Sequence, residues 1–123
     1  MTHIERKENK AFLKQSIAYL NNLGFENIKT VIEGYESPKS YHKIGTDIVI
    51  IPDITCTKHS KKYYFEIGLK SEKPKLLKSK WRFLDVLSRM SGNYFKIITT
   101  RGHYKFTNDM LEELKMEKSL IKL

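Results

Sequence analysis

Two acidic residues lie inside runs of β-branched and aromatic residues, where a carboxylate is normally excluded, and they constrain the fold more than any other feature. Asp47 lies in the run GTDIVII and Glu66 in the run YYFEIGL. Side chains alternate between the two faces of a strand, and neighbouring strands are about 4.8 Å apart. If the two runs pair in a suitable register, Asp47 and Glu66 become neighbours in one sheet. Two carboxylates at that distance need a cation between them, either a divalent metal ion or a basic side chain.

Hydrophobic periodicity predicts an α/β fold with the element order α β β β α β α, as one domain over residues 1–123. Such an order is typical of a mixed sheet flanked by helices, in which the strand after the second helix lies parallel to the strand before it. The predicted elements are a helix over 5–22, strands over 27–33, 46–52 and 61–69, a helix over 71–90, a strand over 94–100 and a last helix that has Thr107 as its N-cap.

The connections and the C-terminal segment carry further expectations. Cys56 falls in the predicted polar connection over 53–61, and a single cysteine cannot form an internal disulfide. Without a signal peptide or a long apolar run, this favours a cytoplasmic (intracellular) protein with no membrane partner. The amphipathic segment LEELKMEKSLIKL either docks on the domain or, through Leu120, Ile121 and Leu123, forms a homodimer.

The charge of the chain favours a polyanionic partner. Lys and Arg number 23 against 14 Asp and Glu, a net charge of +9. Nucleic acid, with DNA preferred, is the first candidate and an anionic surface the second, whereas a solubilising face is the alternative without a partner. The basic residues that we expect to contact phosphates are Lys73, Lys75, Lys78, Lys80, Arg82, Arg101 and Lys105.

The chain carries, in this order, the segments GTDIVII, YYFEIGLK, a basic amphipathic helix and YFKIITT. This order of segments resembles the core of the PD-(D/E)XK nuclease superfamily, which includes restriction endonucleases and Holliday-junction resolvases. The resemblance extends from about Glu8 to Thr100. It implies a restriction endonuclease-like three-layer α/β/α sandwich and a metal-dependent endonuclease that hydrolyses phosphodiester bonds in DNA. It also implies that Mg²⁺ (or Mn²⁺) is held by Asp47, Glu66 and Glu8, with Glu5 as the alternative to Glu8.

One position departs from the pattern of that superfamily. A lysine is expected two residues after the second carboxylate, and this chain has Gly68. Either the lysine has migrated or the protein no longer cuts. Lys70 is the first candidate for a migrated catalytic lysine, because it shares a strand face with Glu66 and Gly68 leaves room for its side chain to lean back. Lys75 and Lys78, in the first turns of the following helix, are the next candidates.

Other interpretations stay open at this point. Asp47 could be a solvated residue at the edge of the sheet, with Glu66 paired to a lysine. The chain could be a non-catalytic nucleic-acid-binding protein, or a subunit whose basic face meets an acidic protein. His59 could act as the acid or base of a metal-independent ribonuclease, because its ordinary pKa lies near neutrality.

Overall fold

The computed structural model describes residues 7–118 and 120–123. These residues form three helices and seven strands. The elements, in chain order, are α1 Lys7–Asn22, β1 Glu26–Thr30, β2 Tyr41–His42, β3 Val49–Ile50, β4 Ile54–Lys58, β5 Lys61–Gly68, α2 Pro74–Ser91, β6 Tyr94–Thr99, α3 Tyr104–Glu113 and β7 Leu120–Lys122.

Five of the strands form one mixed sheet in the order β1-β4-β5-β6-β7. The pairs β1/β4 and β4/β5 are antiparallel, whereas β5/β6 and β6/β7 are parallel. The short strands β2 and β3 pair with each other in a separate antiparallel ribbon. The predicted mixed sheet is therefore confirmed, as is the parallel pairing of the strands on either side of α2.

The helices cover both faces of the sheet, because the side chains of β5 alternate between two cores. Phe65 and Ile67 pack with Phe12, Leu13 and Ile17 of α1 on one face. On the opposite face, residues of β5 and β6 pack with α2 and α3, in a cluster of Tyr64, Phe95, Ile97, Leu77, Trp81, Leu84, Met110 and Leu111. Glu66 and Gly68 follow Tyr64 at a spacing of two, so they face α2 and α3.

The ends of α2 agree with the sequence, but the start of α3 does not. Pro74 is the first residue of α2, and Gly92 ends the helix in the left-handed conformation with φ 67°. The prediction that Thr107 caps the last helix is wrong, since α3 begins at Tyr104 and Thr107 lies inside it. The Thr107 hydroxyl instead donates a hydrogen bond to the carbonyl of His103, at 2.8 Å.

The second strand of the main sheet also differs from the expectation. Of the predicted strand 46–52, only Val49–Ile50 is a strand, and it belongs to the ribbon. The strand that pairs antiparallel with β5 is β4, which lies in the predicted polar connection 53–61. Its residues alternate, so that Ile54 and Cys56 enter the core on the α1 side. Cys56 is therefore a buried strand residue and not a loop residue. The true connection is a two-residue turn in which His59 and the residue after it both have positive φ, as in hairpins of type I′.

The C-terminal segment completes the sheet. Where one amphipathic element was expected, α3 ends at Glu113 and β7 adds a parallel strand beside β6. Leu120 packs on the α2 side, while Ile121 and Leu123 pack on the α1 side. These apolar residues are thus used within the fold, and a homodimer stays a prediction. Of the helices in the described part, none combines the length and the apolar character that would let it span a membrane.

Candidate active site

The carboxylate beside Glu66 is that of Asp53. Ile54 of β4 pairs with Phe65 of β5, so one step further along the ladder Asp53 lies opposite Glu66. Both are buried, Asp53 at 4% and Glu66 at 0% exposure. Asp47 instead lies exposed in the turn of the ribbon. The prediction that Asp47 and Glu66 are strand neighbours is therefore wrong, because the strand that pairs with β5 begins at Ile54, eight residues later than expected.

Reciprocal hydrogen bonds to the backbone fix the two carboxylates. The amide N–H of Asp53 donates to Glu66 Oε2 at 2.7 Å. The amide N–H of Ile67 donates to Asp53 Oδ2 at 2.9 Å. Each carboxylate thus accepts a hydrogen bond from the backbone of the segment that carries the other acid. Through these side-chain hydrogen bonds, the two segments stay paired beyond the last backbone pair of β4 and β5. Hydrogen bonds to ionised carboxylates are among the stronger ones, so the orientation of both groups is set by the sheet.

The ammonium of Lys80 lies between the two acids. Its Nζ is 2.9 Å from Asp53 Oδ1 and 3.1 Å from Glu66 Oε1, and the lysine side chain is only 11% exposed. Lys80 comes from α2, three residues after Leu77 and on the same face as Leu77 and Trp81, which is the face packed on the sheet. Its expected role as an exposed phosphate contact is thus corrected: its charge is turned towards the two carboxylates.

The three groups shift one another's pKa values. Burial lowers the pKa of Lys80, but the negative charges of Asp53 and Glu66 outweigh burial and hold it above its ordinary value. Burial raises the pKa of Asp53, yet the Lys80 charge and the Ile67 amide bring it below its usual range. Burial and then the Asp53 charge raise the pKa of Glu66. Lys80 therefore keeps its proton, and Asp53 and Glu66 take up protons as one interacting pair when the pH falls.

Thr107 explains why position 68 carries no lysine. A Cβ added to Gly68 would lie 2.7 Å from Thr107 Oγ1 and 2.8 Å from Thr107 Cγ2. The Gly68 carbonyl also accepts hydrogen bonds from Thr99 Oγ1 at 2.6 Å and Thr107 Oγ1 at 3.2 Å. The space over Gly68, which was expected to let Lys70 lean back towards Glu66, is filled by α3.

The lysines named as candidates for migration lie elsewhere. Lys70 and Lys75 are exposed, and Lys78 forms an ion pair with Glu113. The backbone amide of Lys70 donates to His103 Nδ1 at 2.9 Å, which ties the end of β5 to the start of α3.

Glu8, the third predicted metal ligand, is exposed in the first turn of α1. The charge of Glu8 acts on His103. Burial and the Lys70 charge lower the pKa of His103, and the Glu8 charge offsets part of that lowering. Glu5, the alternative, lies outside the described residues. Within residues 7–118 and 120–123, no group of three or more His, Cys, Asp and Glu side chains is arranged to hold a metal ion.

The Asp53 and Glu66 pair nevertheless fits Mg²⁺ or Mn²⁺. Two carboxylate oxygens converge on one cation, which among the residues that the structure describes is the Lys80 ammonium. Mg²⁺ is commonly bound through one or two carboxylates together with waters and substrate phosphates. A third protein ligand is therefore not required by the chemistry of the ion.

Most of the other predicted basic residues are on the surface. Lys105 forms an ion pair with Asp109 at 2.9 Å, and His59 lies exposed in the hairpin turn between β4 and β5. The predicted phosphate contacts that are exposed are Lys73, Lys75, Arg82, Arg101 and Lys105.

Sequence reasoning missed Asp53 and assigned Lys80 to phosphate binding instead of to the carboxylates, although each residue had a signal. Asp53 follows Pro52, which cannot donate to a ladder and so marks a strand boundary. Lys80 interrupts the apolar stripe of α2, three residues after Leu77 and four before Leu84.

The chain matches no protein-family model, and no curated protein matches it. What the protein does is therefore inferred from the site alone.

Proposed function

We propose that the protein is a metal-dependent endonuclease that hydrolyses phosphodiester bonds in DNA, on a restriction endonuclease-like fold. Asp53 and Glu66 are the metal ligands in this proposal, and Lys80 is the migrated lysine. The observation that carries it is the convergence of Asp53 Oδ1 and Glu66 Oε1 on one cation at the end of a mixed sheet, in a chain with a net charge of +9.

Asp53 and Glu66 would hold the metal ion, and the residues around them set what else the site can do. When bound, Mg²⁺ or Mn²⁺ neutralises charge on a phosphodiester and lowers the pKa of water. Lys80 keeps its proton, since its pKa is held above the ordinary value, so it acts as a fixed positive charge and not as a base. A buried positive charge is well suited to stabilise the negative charge that develops on a phosphate during hydrolysis.

Exposed basic side chains supply the binding energy in this proposal. Lys73 and Lys75 precede and begin α2, the helix that carries Lys80, and Arg82 is exposed two residues beyond it. Arg101 follows β6, near the end of the sheet where Gly68 and Thr99 pair. Each phosphate neutralised by such a residue releases counterions, so binding should weaken steeply with salt.

The second candidate is a nucleic-acid-binding protein without catalysis. It is favoured by a specific observation: the charges of Asp53 and Glu66 are already compensated by Lys80 in a cluster whose side chains are 11% exposed or less. A cation held this closely competes with a metal ion for the same oxygens. Salt-sensitive binding without metal-dependent cleavage is the expected behaviour of such a protein.

The test compares the wild type with Asp53→Asn, Glu66→Gln and Lys80→Met. Labelled duplex, branched and single-stranded DNA, with matched RNA, is incubated with Mg²⁺ or Mn²⁺, and Mn²⁺ binding is measured separately by calorimetry. The matched control is Glu36→Gln, which removes an exposed carboxylate (81% exposed) from a long ion pair with Lys29.

Cleavage and Mn²⁺ binding that are lost in Asp53→Asn and Glu66→Gln but kept in Glu36→Gln would support the nuclease. Salt-sensitive DNA binding by all five proteins, without Mn²⁺ binding or cleavage by the wild type, would overturn it and leave the second candidate. Cleavage that survives in Asp53→Asn would mean that a different site cuts.

A further inference from the structure

The ribbon formed by β2 and β3 presents one apolar side chain to solvent at its apex. Ile44 is 98% exposed, more than any other large apolar residue in the described part of the chain. It lies in a tight turn in which the Thr46 amide N–H donates to the Lys43 carbonyl at 3.1 Å. Gly45 follows Ile44 with φ 80°, the conformation that the third position of a type II turn requires.

Several hydrogen bonds stabilise this apex. The Thr46 hydroxyl donates to the Lys43 carbonyl at 2.9 Å and accepts from the Ile48 amide at 3.1 Å. The Lys43 amide donates to the Ile48 carbonyl at 3.0 Å, and the His42 ring contacts the Thr46 carbonyl. None of these hydrogen bonds involves the Ile44 side chain. Apolar side chains such as Ile serve as wedges between base steps in proteins that bend DNA.

The base of the ribbon is anchored on the helix that carries Lys80. The Tyr41 ring contacts the Phe83 ring, with centroids 5.3 Å apart, and the Tyr41 side chain lies beside that of Tyr64. Ile50, at the end of β3, is buried. Since nine residues separate Ile44 from Asp53, the two are at most about 32 Å apart, which is less than one turn of B-DNA.

We infer that the ribbon enters the minor groove of a duplex and that Ile44 inserts between two stacked base pairs. The inference rests on the proposed function, and it identifies duplex DNA as the substrate and the ribbon as its contact. Apolar side chains used in this way unstack a base step and bend the duplex. The charge at the ribbon is suited to contact with DNA phosphates, because two exposed basic residues, Lys39 and Lys43, lie there with one exposed acidic residue, Asp47. The ribbon and Asp53 are thus near enough to lie within one helical turn of the same duplex.

The experiment uses duplexes in which 2-aminopurine is moved along one helical turn, because its fluorescence increases when its neighbours unstack. Wild type is compared with Ile44→Ser and with Met90→Ser, a control that removes an apolar side chain that is 82% exposed at the end of α2. Ca²⁺ replaces Mg²⁺ to separate binding from cleavage. Circular dichroism and thermal unfolding should be unchanged in both variants, because both side chains lie on the surface.

Wild type and Met90→Ser should increase the fluorescence at one step. Ile44→Ser should lose that increase and bind about tenfold more weakly, since it gives up the burial of one aliphatic side chain. Its salt dependence should be unchanged, because the phosphate contacts remain.

Three results would overturn the inference. If the wild type binds duplex DNA and Ile44→Ser matches it in affinity and fluorescence, the ribbon is not the contact, and the proposed function stands. If the wild type binds no nucleic acid, the proposed function fails and the ribbon inference with it. If Ile44→Ser instead converts a dimer into a monomer in sedimentation, a second copy of the chain is the partner of the apex.

Discussion

Replacing Lys80 by Met tests whether one ammonium compensates two buried acids. The substitution keeps a long flexible side chain and removes the charge. At an effective dielectric constant of about 20, the distances of 2.9 and 3.1 Å correspond to attractions of about 6 and 5 kcal/mol. Most of this is offset by the cost of burying the ions, and breaking a buried pair from one side lowers the free energy of unfolding by about 3 to 5 kcal/mol. We expect a loss of that size.

The loss should depend on pH in a defined direction. Without Lys80, the repulsion between the charges of Asp53 and Glu66 is less compensated, so the pKa of the pair rises in the folded state. The folded variant then binds a proton that the unfolded chain, with carboxyl pKa values of about 4, releases. The free energy of unfolding of Lys80→Met should therefore increase as the pH falls from about 8 to about 5.5, and the gap to wild type should narrow.

Urea unfolding of wild type and variant at these two pH values measures both effects. Lys78→Met is the control on the same helix, since Lys78 and Glu113 have side chains that are 29% and 59% exposed, and such a pair contributes about 0 to 1 kcal/mol. Adding Glu66→Gln to Lys80→Met should recover part of the loss, because one buried acid becomes neutral. A loss below about 1 kcal/mol at about pH 8, or one that does not change with pH, would refute the reasoning.

Three further substitutions or measurements follow from the structure. Gly68→Ala should lower the free energy of unfolding by about 1 to 3 kcal/mol, because the added Cβ meets the Thr107 side chain. In a Thr107→Ala background, thermal unfolding should show a smaller loss. Equal losses in both backgrounds would exclude the contact with Thr107. The Cys56 thiol, whose pKa burial raises to about 12, should react with a disulfide reagent much more slowly in the native protein than in urea, and equal rates would place it on the surface. An NMR pH series should show that His103 titrates below its ordinary pKa of 6.5, because burial and Lys70 lower the pKa. The contribution of His103 to stability is therefore present above about pH 6.5 and is lost as the pH falls through the pKa of the folded state. A pKa of 6.5 or higher in the folded protein would contradict this lowering.

The parts of the fold that periodicity determines were predictable from the sequence. The alternation of side chains along a strand predicts that Glu66 shares a face with Tyr64 and Gly68. An apolar stripe followed by Gly92 predicts α2 and the position where it ends. The site was harder, because Asp47 and Asp53 each precede a β-branched segment. The more apolar segment, 46–52, predicts the second strand of the main sheet, whereas pairing with β1 and β5 selects the more polar one, β4.

The choice of lysine could not come from local patterns. A lysine in an apolar helix stripe is usually solvated through its long side chain. That Lys80 is turned inward depends on where Asp53 and Glu66 lie, which is a tertiary fact. The exclusion of a side chain from position 68 likewise depends on Thr107, which is 39 residues away in the chain.

The hydrogen bonds by which Asp53 and Glu66 each hold the other's strand affect how such a site can change during evolution. Both acids are orientated by the backbone of β4 and β5, so their geometry does not depend on which residue provides the positive charge. A lysine from any element that reaches this end of the sheet would find the same two oxygens in place. The acids are therefore bound to their positions in the sheet, whereas the positive charge can come from a neighbouring element, as it does here from α2.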